Sequence, residues 1–274
     1  MKKKEKIILI SFIVITLGAG FLVAFSKQFF EDTKYSDFWY ALTWCGLPGL
    51  IGQVFLKNWE KAGIRLEFEK NRNWLCMALF AFPLIGLISM FIRMGLGGVD
   101  FERAALDISP AFIFGGFIGA AIRLFCEEFS WRGNLLPLLE KIGMNDFVLY
   151  LVSGLIGGIW MVIYSLFFVE DSLANPSFIV LNMVITMLLS PILIELYRIT
   201  HSIWPGVILQ TMQDLFPYML LSKIQLIPLD STLEFMFDLT FGIFPFVVLL
   251  GLGLWLRKKR CEKANKEVFE MRPL

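Results

Sequence analysis

The sequence predicts an all-α, polytopic membrane protein: a bundle of about eight transmembrane helices. Three observations predict it. Of 274 residues, 57% are hydrophobic and 18% charged, and the mean hydropathy is +0.69, a composition too apolar for an ordinary soluble domain. Apolar stretches long enough to cross a bilayer occur at 7–25, 38–56, 74–92, 108–127, 147–168, 178–197, 202–221 and 237–256. Finally, Lys and Arg are segregated between the stretches. The segments that an inside N-terminus would place inside hold 19 of the 25, while the outer segments hold Lys27, Lys34, Arg93, Arg103 and Lys223. Positive charge concentrates on the cytoplasmic side, so both termini are expected there.

The first stretch follows Met1-Lys-Lys-Lys-Glu-Lys6, the basic start of a signal peptide. Its apolar run is long for a signal sequence and no A-x-A site follows, so a retained first span is expected. Only residues 57–73 and the tail after Arg257 are extramembrane stretches of any length, so 1–274 reads as a single membrane domain. In the fourth and fifth spans, Gly115-x-x-x-Gly119 and Gly154-x-x-x-Gly158 would let helix backbones approach, and the two spans are expected to pack on each other. The four cysteines, Cys45, Cys76, Cys126 and Cys261, have no C-x-x-C spacing and read as reduced, packed thiols. The formal charge of +1 is close to balance and nothing points to nucleic acid.

An ionisable side chain in a span costs roughly 2.5–3.5 kcal/mol at the bilayer centre on insertion scales, so each needs a partner or a purpose. The fourth span ends in Arg123-Leu-Phe-Cys-Glu-Glu-Phe-Ser-Trp-Arg132. Arg123 and Glu127 stand four apart, as do Glu128 and Arg132, so each acid can meet a base along the helix. Two snorkelling ion pairs would be the bland explanation. Adjacent carboxylates fit it poorly, because successive helical residues point about 100° apart and only one acid shares the face of Arg132. Glu127 is then directed elsewhere, into the bundle.

Glu127-Glu-Phe-Ser-Trp-Arg-Gly133 resembles the first motif, E-E-x-x-x-R-G, of the CPBP family of intramembrane proteases, which includes CAAX prenyl proteases and bacteriocin-processing and immunity proteins. Ile156-Gly-Gly-Ile-Trp-Met161 is similar to the family's aromatic-G-x-W-H segment, and Leu196-Tyr-Arg-Ile-Thr-His-Ser-Ile-Trp-Pro205 to the entry into its last motif helix. The matches cover about 110–220 in order. The resemblance implies that Glu127 is the general base that activates water, held by Glu128 and Arg132. It implies a histidine in the fifth span, and another in the seventh followed four residues later by Asn or Asp. These would orient water and stabilise the oxyanion.

Both histidine positions differ. Met161 stands at the first and Gln210 at the second, while Asp214 keeps an allowed type. Gln210 can still donate an amide hydrogen to an oxyanion, whereas Met161 cannot titrate. His201, the chain's one histidine, lies nine residues before Gln210, about 13 Å along a helix. It occupies a position where the family commonly has Gly and is expected to be solvated at the boundary. One histidine without clustered thiols implies no zinc site, and no cofactor is expected. Asp214 reads equally as a staple to Arg123 or Arg132 and as a site residue; Asp238 and Glu195 read as interfacial.

Three functions follow. The first is a degenerate protease that binds or regulates a membrane-associated peptide or protein, in an immunity-type role for example. The second is an active intramembrane glutamate endopeptidase using Glu127 as base, with Gln210 and Asp214 at the oxyanion. A small transporter is the third; it has only intramembrane charge in its favour and lacks an inverted repeat. The resemblance implies multi-pass residence in a cell membrane, of the bacterial plasma-membrane kind, with lipid as the surrounding partner.

Overall fold

The computed structural model describes residues 3–26, 36–56, 62–102, 110–168, 176–238 and 242–270. Among the residues that suggested the topology, Lys2, Lys27, Lys34, Lys57, Lys61, Arg103 and Arg272 lie outside the described residues, as does the side chain of Cys45. The chain forms α1 (Lys3–Ser26), α2 (Ser36–Leu56), α3 (Phe68–Gly95), β1 (Val99–Asp100) and α4 (Pro110–Ser130). A π-helical turn, Trp131–Leu135, then leads into α5 (Leu136–Lys141). After it come α6 (Asp146–Phe168), α7 (Pro176–Thr200), α8 (Trp204–Leu221), β2 (Gln225–Leu226), α9 (Ser231–Phe237) and α10 (Ile243–Glu270).

The all-α class therefore holds, with one short antiparallel pair, Val99 opposite Leu226 and Asp100 opposite Gln225, tying two loops together. Each expected apolar stretch overlaps a long helix among the described residues: α1, α2, α3, α4, α6, α7, α8 and α10. Among the described residues, four windows are long and apolar enough to cross a membrane by length and composition, at Lys6–Val23, Phe68–Gly95, Asp146–Phe167 and Ile179–Thr200. Large apolar side chains such as Val14, Leu22, Val54, Leu84 and Phe91 point outward. That surface would be a liability in water and suits acyl chains. The protein is a membrane protein.

Two large buried clusters organise the interior, beside a small one at Met90 and Ile224. One centres on Phe12, Trp44, Leu124, Trp131 and Trp160 and joins α1, α2, α4 and α6. The other centres on Phe82, Leu189, Leu193 and Phe246 and joins α3, α7 and α10. Small residues set the closest approaches. A Cβ on Gly154 would stand 2.9 Å from Met187 Cα, and one on Gly158 would stand 2.8 Å from Met183 Cγ. The fifth apolar stretch thus packs on α7. A Cβ on Gly115 or Gly119 would meet nothing within 4 Å, which corrects the expectation that the fourth and fifth spans pack on each other through these motifs. GxxxG marks a helix face that permits close approach; it does not choose the partner.

Other expectations are corrected too. Cys76 is exposed, and Cys126 and Cys261 are half-buried, so these thiols are reduced but not core-packed. Arg93, read as an outer-loop charge, lies in the last turn of α3 and is fully buried. It donates to both carboxylate oxygens of Glu234, at 3.0 and 3.2 Å, and to the carbonyl of Ile227 at 3.1 Å. Glu195, read as interfacial, is fully buried. Its carboxylate accepts from Tyr150 at 2.5 Å, from Arg260 at 2.6 and 3.0 Å and from Arg198 at 3.1 Å. Its burial comes from α6 and α10, which cover this end of α7. His201 is exposed, as expected, in a left-handed conformation with φ 53°. That region costs a side chain bearing Cβ and favours Gly.

Candidate functional site

The cluster at the end of α4 is shaped by the π turn that follows it. At the turn Asn134 Nδ2 donates to the carbonyl of Phe129 at 2.8 Å, while Asn134 Oδ1 accepts from Gln53 at 2.8 Å. Gly133 fits because a Cβ there would approach the carbonyl of Ala62 at 3.0 Å. The turn anchors Arg132, whose Nη1 meets Glu128 Oε1 at 2.9 Å. Gln210 Nε2 donates to the same oxygen at 2.6 Å from α8. The carboxyl of Glu128 also lies where a Cβ on Gly206 would be, so the lack of a side chain at the start of α8 makes room for it. Glu128 is 1% exposed. A carboxylate so placed is tolerable only with its charge and lone pairs matched, which Arg132 and Gln210 provide.

Glu127, one residue earlier, turns away as the helical geometry requires. Its Oε1 accepts from Arg123 Nη1 at 2.7 Å, and the second guanidinium nitrogen of Arg123 bonds Asp214 of α8. Arg123 thus bridges two acids from two helices. That Asp214 pairs with Arg123 realises one of the two readings left open for it, and leaves the other untouched.

These groups surround one cavity of about 470 Å³ where the two buried clusters meet. Glu127, Arg132, Met161, Gln210 and Asp214 all line it, so four helical segments bring the positions singled out in the sequence to one place. Glu128 supports it through Arg132 and Gln210. The sequence reading did not single out Ser153, Asn182, Thr186, Ser190 and Gln213, which line the cavity as well. Small polar residues within apolar spans were the available signal, but such residues are common in membrane helices and no spacing marks them. His201 is not among the lining residues.

A family model described as type II CAAX prenyl endopeptidase Rce1-like matches residues 108–216. That segment runs from the start of α4 into α8 and contains each of the cavity residues named above. No curated protein matches the chain.

Proposed function

We propose, from the premise that residues 108–216 are a core of the type II CAAX prenyl endopeptidase Rce1-like kind within the CPBP family, that this membrane protein is a degenerate member that acts by binding a membrane-associated peptide or protein. The observation that carries the proposal is the Arg123 bridge between Glu127 and Asp214. A water-activating base must take up a proton and hand it on. Guanidinium stays charged and can neither accept that proton nor relay it. At the position from which a histidine would share it, Met161 offers only a thioether. An acid-base contribution of this type is worth about 10² to 10⁴ in rate. Gln210 already donates to Glu128, so an amide that would steady an oxyanion serves the scaffold as well.

Glu127, Glu128, Arg132, Gln210 and Asp214 then act as a binding constellation rather than a hydrolytic one. The regulatory or immunity-type role and residence in a bacterial plasma membrane belong to the same proposal. A second reading, an active glutamate endopeptidase with Glu127 as base, draws support from the place of Glu127 on the cavity wall. Purified full-length protein in liposomes separates the two when it is incubated with membrane-anchored peptides. No cleavage is expected. Reproducible cleavage that disappears in Glu127→Ala would overturn the binding reading and establish the second.

A further inference from the structure

The last long helix, α10, directs its basic residues to two different surroundings. Its apolar stretch ends at Leu256, and Arg257-Lys-Lys-Arg260 follows. Arg257 and Arg260 turn toward the bundle, where Asp146 and Glu195 receive them at 2.7 and 2.6 Å. Lys258 and Lys259 turn outward, and the side chain of Lys258 is 75% exposed. The guanidiniums are thus used within the protein, and the ammoniums are left on its surface.

These lysines share their face with apolar side chains. Leu254 and Trp255 are exposed there, Trp255 by 44%. Trp255, Lys258, Lys259 and Glu262 stand at i, i+3, i+4 and i+7, a single stripe of a helix. Side chains on a helix lean toward its N-terminus, and on α10 that direction is the apolar stretch. Lys259 follows the lean: its Nζ lies 4.1 Å from the centroid of the Trp255 ring, one turn back. Its ammonium is therefore drawn to the level at which the apolar stretch ends, about 6 Å nearer the hydrocarbon than its own backbone. Glu262 approaches Lys258 at 4.0 Å, an exposed contact that offsets little of the charge. The side chain of Lys263 is exposed as well. Three ammoniums against one carboxylate leave the stripe cationic where the helix leaves the bilayer.

We infer that the outward face of α10, from Leu254 to Lys263, docks an anionic phospholipid, with the indole of Trp255 beside the upper acyl chain and Lys258 and Lys259 on the phosphodiester and the headgroup. Charge selects the ligand. A zwitterionic headgroup offers surplus ammoniums no net charge, whereas an anionic one does, and basic residues just beyond a span are attracted to it. Lysine suits this task, because a compact ammonium on a flexible stem can follow a mobile headgroup without needing a fixed geometry. Trp255 supplies the depth, since an indole settles at the boundary between hydrocarbon and headgroups. The bilayer is already the neighbour of Leu254 and Trp255, so the occupant of this face is lipid and no further protein is required.

The test uses the full chain in detergent micelles with equimolar dioleoyl phosphatidylglycerol and dioleoyl phosphatidylcholine, and native mass spectrometry reads which lipid stays bound. Each lysine near an anionic headgroup favours it by about fivefold, and Glu262 takes back part, so the first bound lipid is expected to be phosphatidylglycerol by about tenfold. Lys258→Gln with Lys259→Gln should bring the ratio close to parity. If that double variant does not fold, Lys259→Gln alone should lower the ratio by about threefold. Lys70→Gln with Arg72→Gln, exposed charges at the same end of the bundle, should leave it unchanged. Equal retention of the two lipids by the native chain overturns the inference in favour of a merely solvated face. A preference that survives loss of the α10 lysines, or that falls equally in both double variants, overturns the assignment to α10 in favour of diffuse surface charge. Retention of added glycerol 3-phosphate in place of the lipid overturns it in favour of a small-anion site.

Discussion

The ion network that joins α6, α7 and α10 differs from the charged cluster at the cavity in how completely its groups are used. Asp146 receives Arg198 at 2.9 Å, Arg257 at 2.7 Å and Arg260 at 3.0 Å. Glu195 receives Arg198, Arg260 and Tyr150. Both oxygens of each carboxylate are bonded. Around the cavity, by contrast, Glu127, Glu128 and Asp214 are also paired, yet Arg132 Nε, Trp160 Nε1 and Gln213 Oε1 are left over. Saturated charge ties helices together. The paired charges at the cavity border an open space, and that difference separates a candidate site from a staple.

The comparison can be broken most forcefully at Glu195. Glu195→Ala removes the buried acceptor shared by Arg198, Arg260 and Tyr150 and is expected to cost about 3 kcal/mol, the lower range for a broken buried pair, because both guanidiniums are partly exposed and keep Asp146. Thermal unfolding in detergent micelles, followed by circular dichroism, reads it; a loss within error would mean that the network is not a staple. Gly206→Ala acts at the cavity. Its Cβ would displace the Glu128 carboxyl from Arg132 and Gln210, an overpacking cost of about 1–3 kcal/mol. The same unfolding measurement checks it, and an unchanged midpoint would show that the cavity wall yields where the staple does not.

The smallest effect sharpens the comparison at Asp146. Asp146→Asn keeps the shape of the side chain and removes the charge that Arg198, Arg257 and Arg260 share, and because the three guanidiniums are partly exposed it is expected to cost about 1 kcal/mol. The same unfolding measurement reads it, and an unchanged midpoint would remove Asp146 from the network.

Much of this was legible because it is local. The eight apolar stretches overlap long helices, and Glu127, Glu128 and Arg132 were visible through spacing alone, since an i,i+4 pair needs nothing beyond its own helix. The separation of the two adjacent acids follows from helical rotation and is seen in their different partners, Arg123 and Arg132. The short elements α5 and α9, the two-residue strands and the π turn were not foreseen. Elements of a few residues carry no periodicity of their own, and a π turn depends on groups such as Asn134 and Gln53 that come together only in the fold. Burial of Arg93 and Glu195 was missed for a related reason: a sequence shows that a charge lies at the end of a span, not which neighbouring helix covers it.

By itself, the sequence determined that the chain belongs in a membrane as a helical bundle and that α4 carries two acids and a base on divergent faces, because hydropathy and helical period are properties of each segment alone. Only the tertiary structure decided that Gly154 and Gly158 meet α7, that Arg123 reaches across to Asp214, and that Met161 and Gln210 share a cavity with Glu127. Those outcomes join residues tens of positions apart, and they depend on which helix faces can approach closely enough for their small residues and charges to meet.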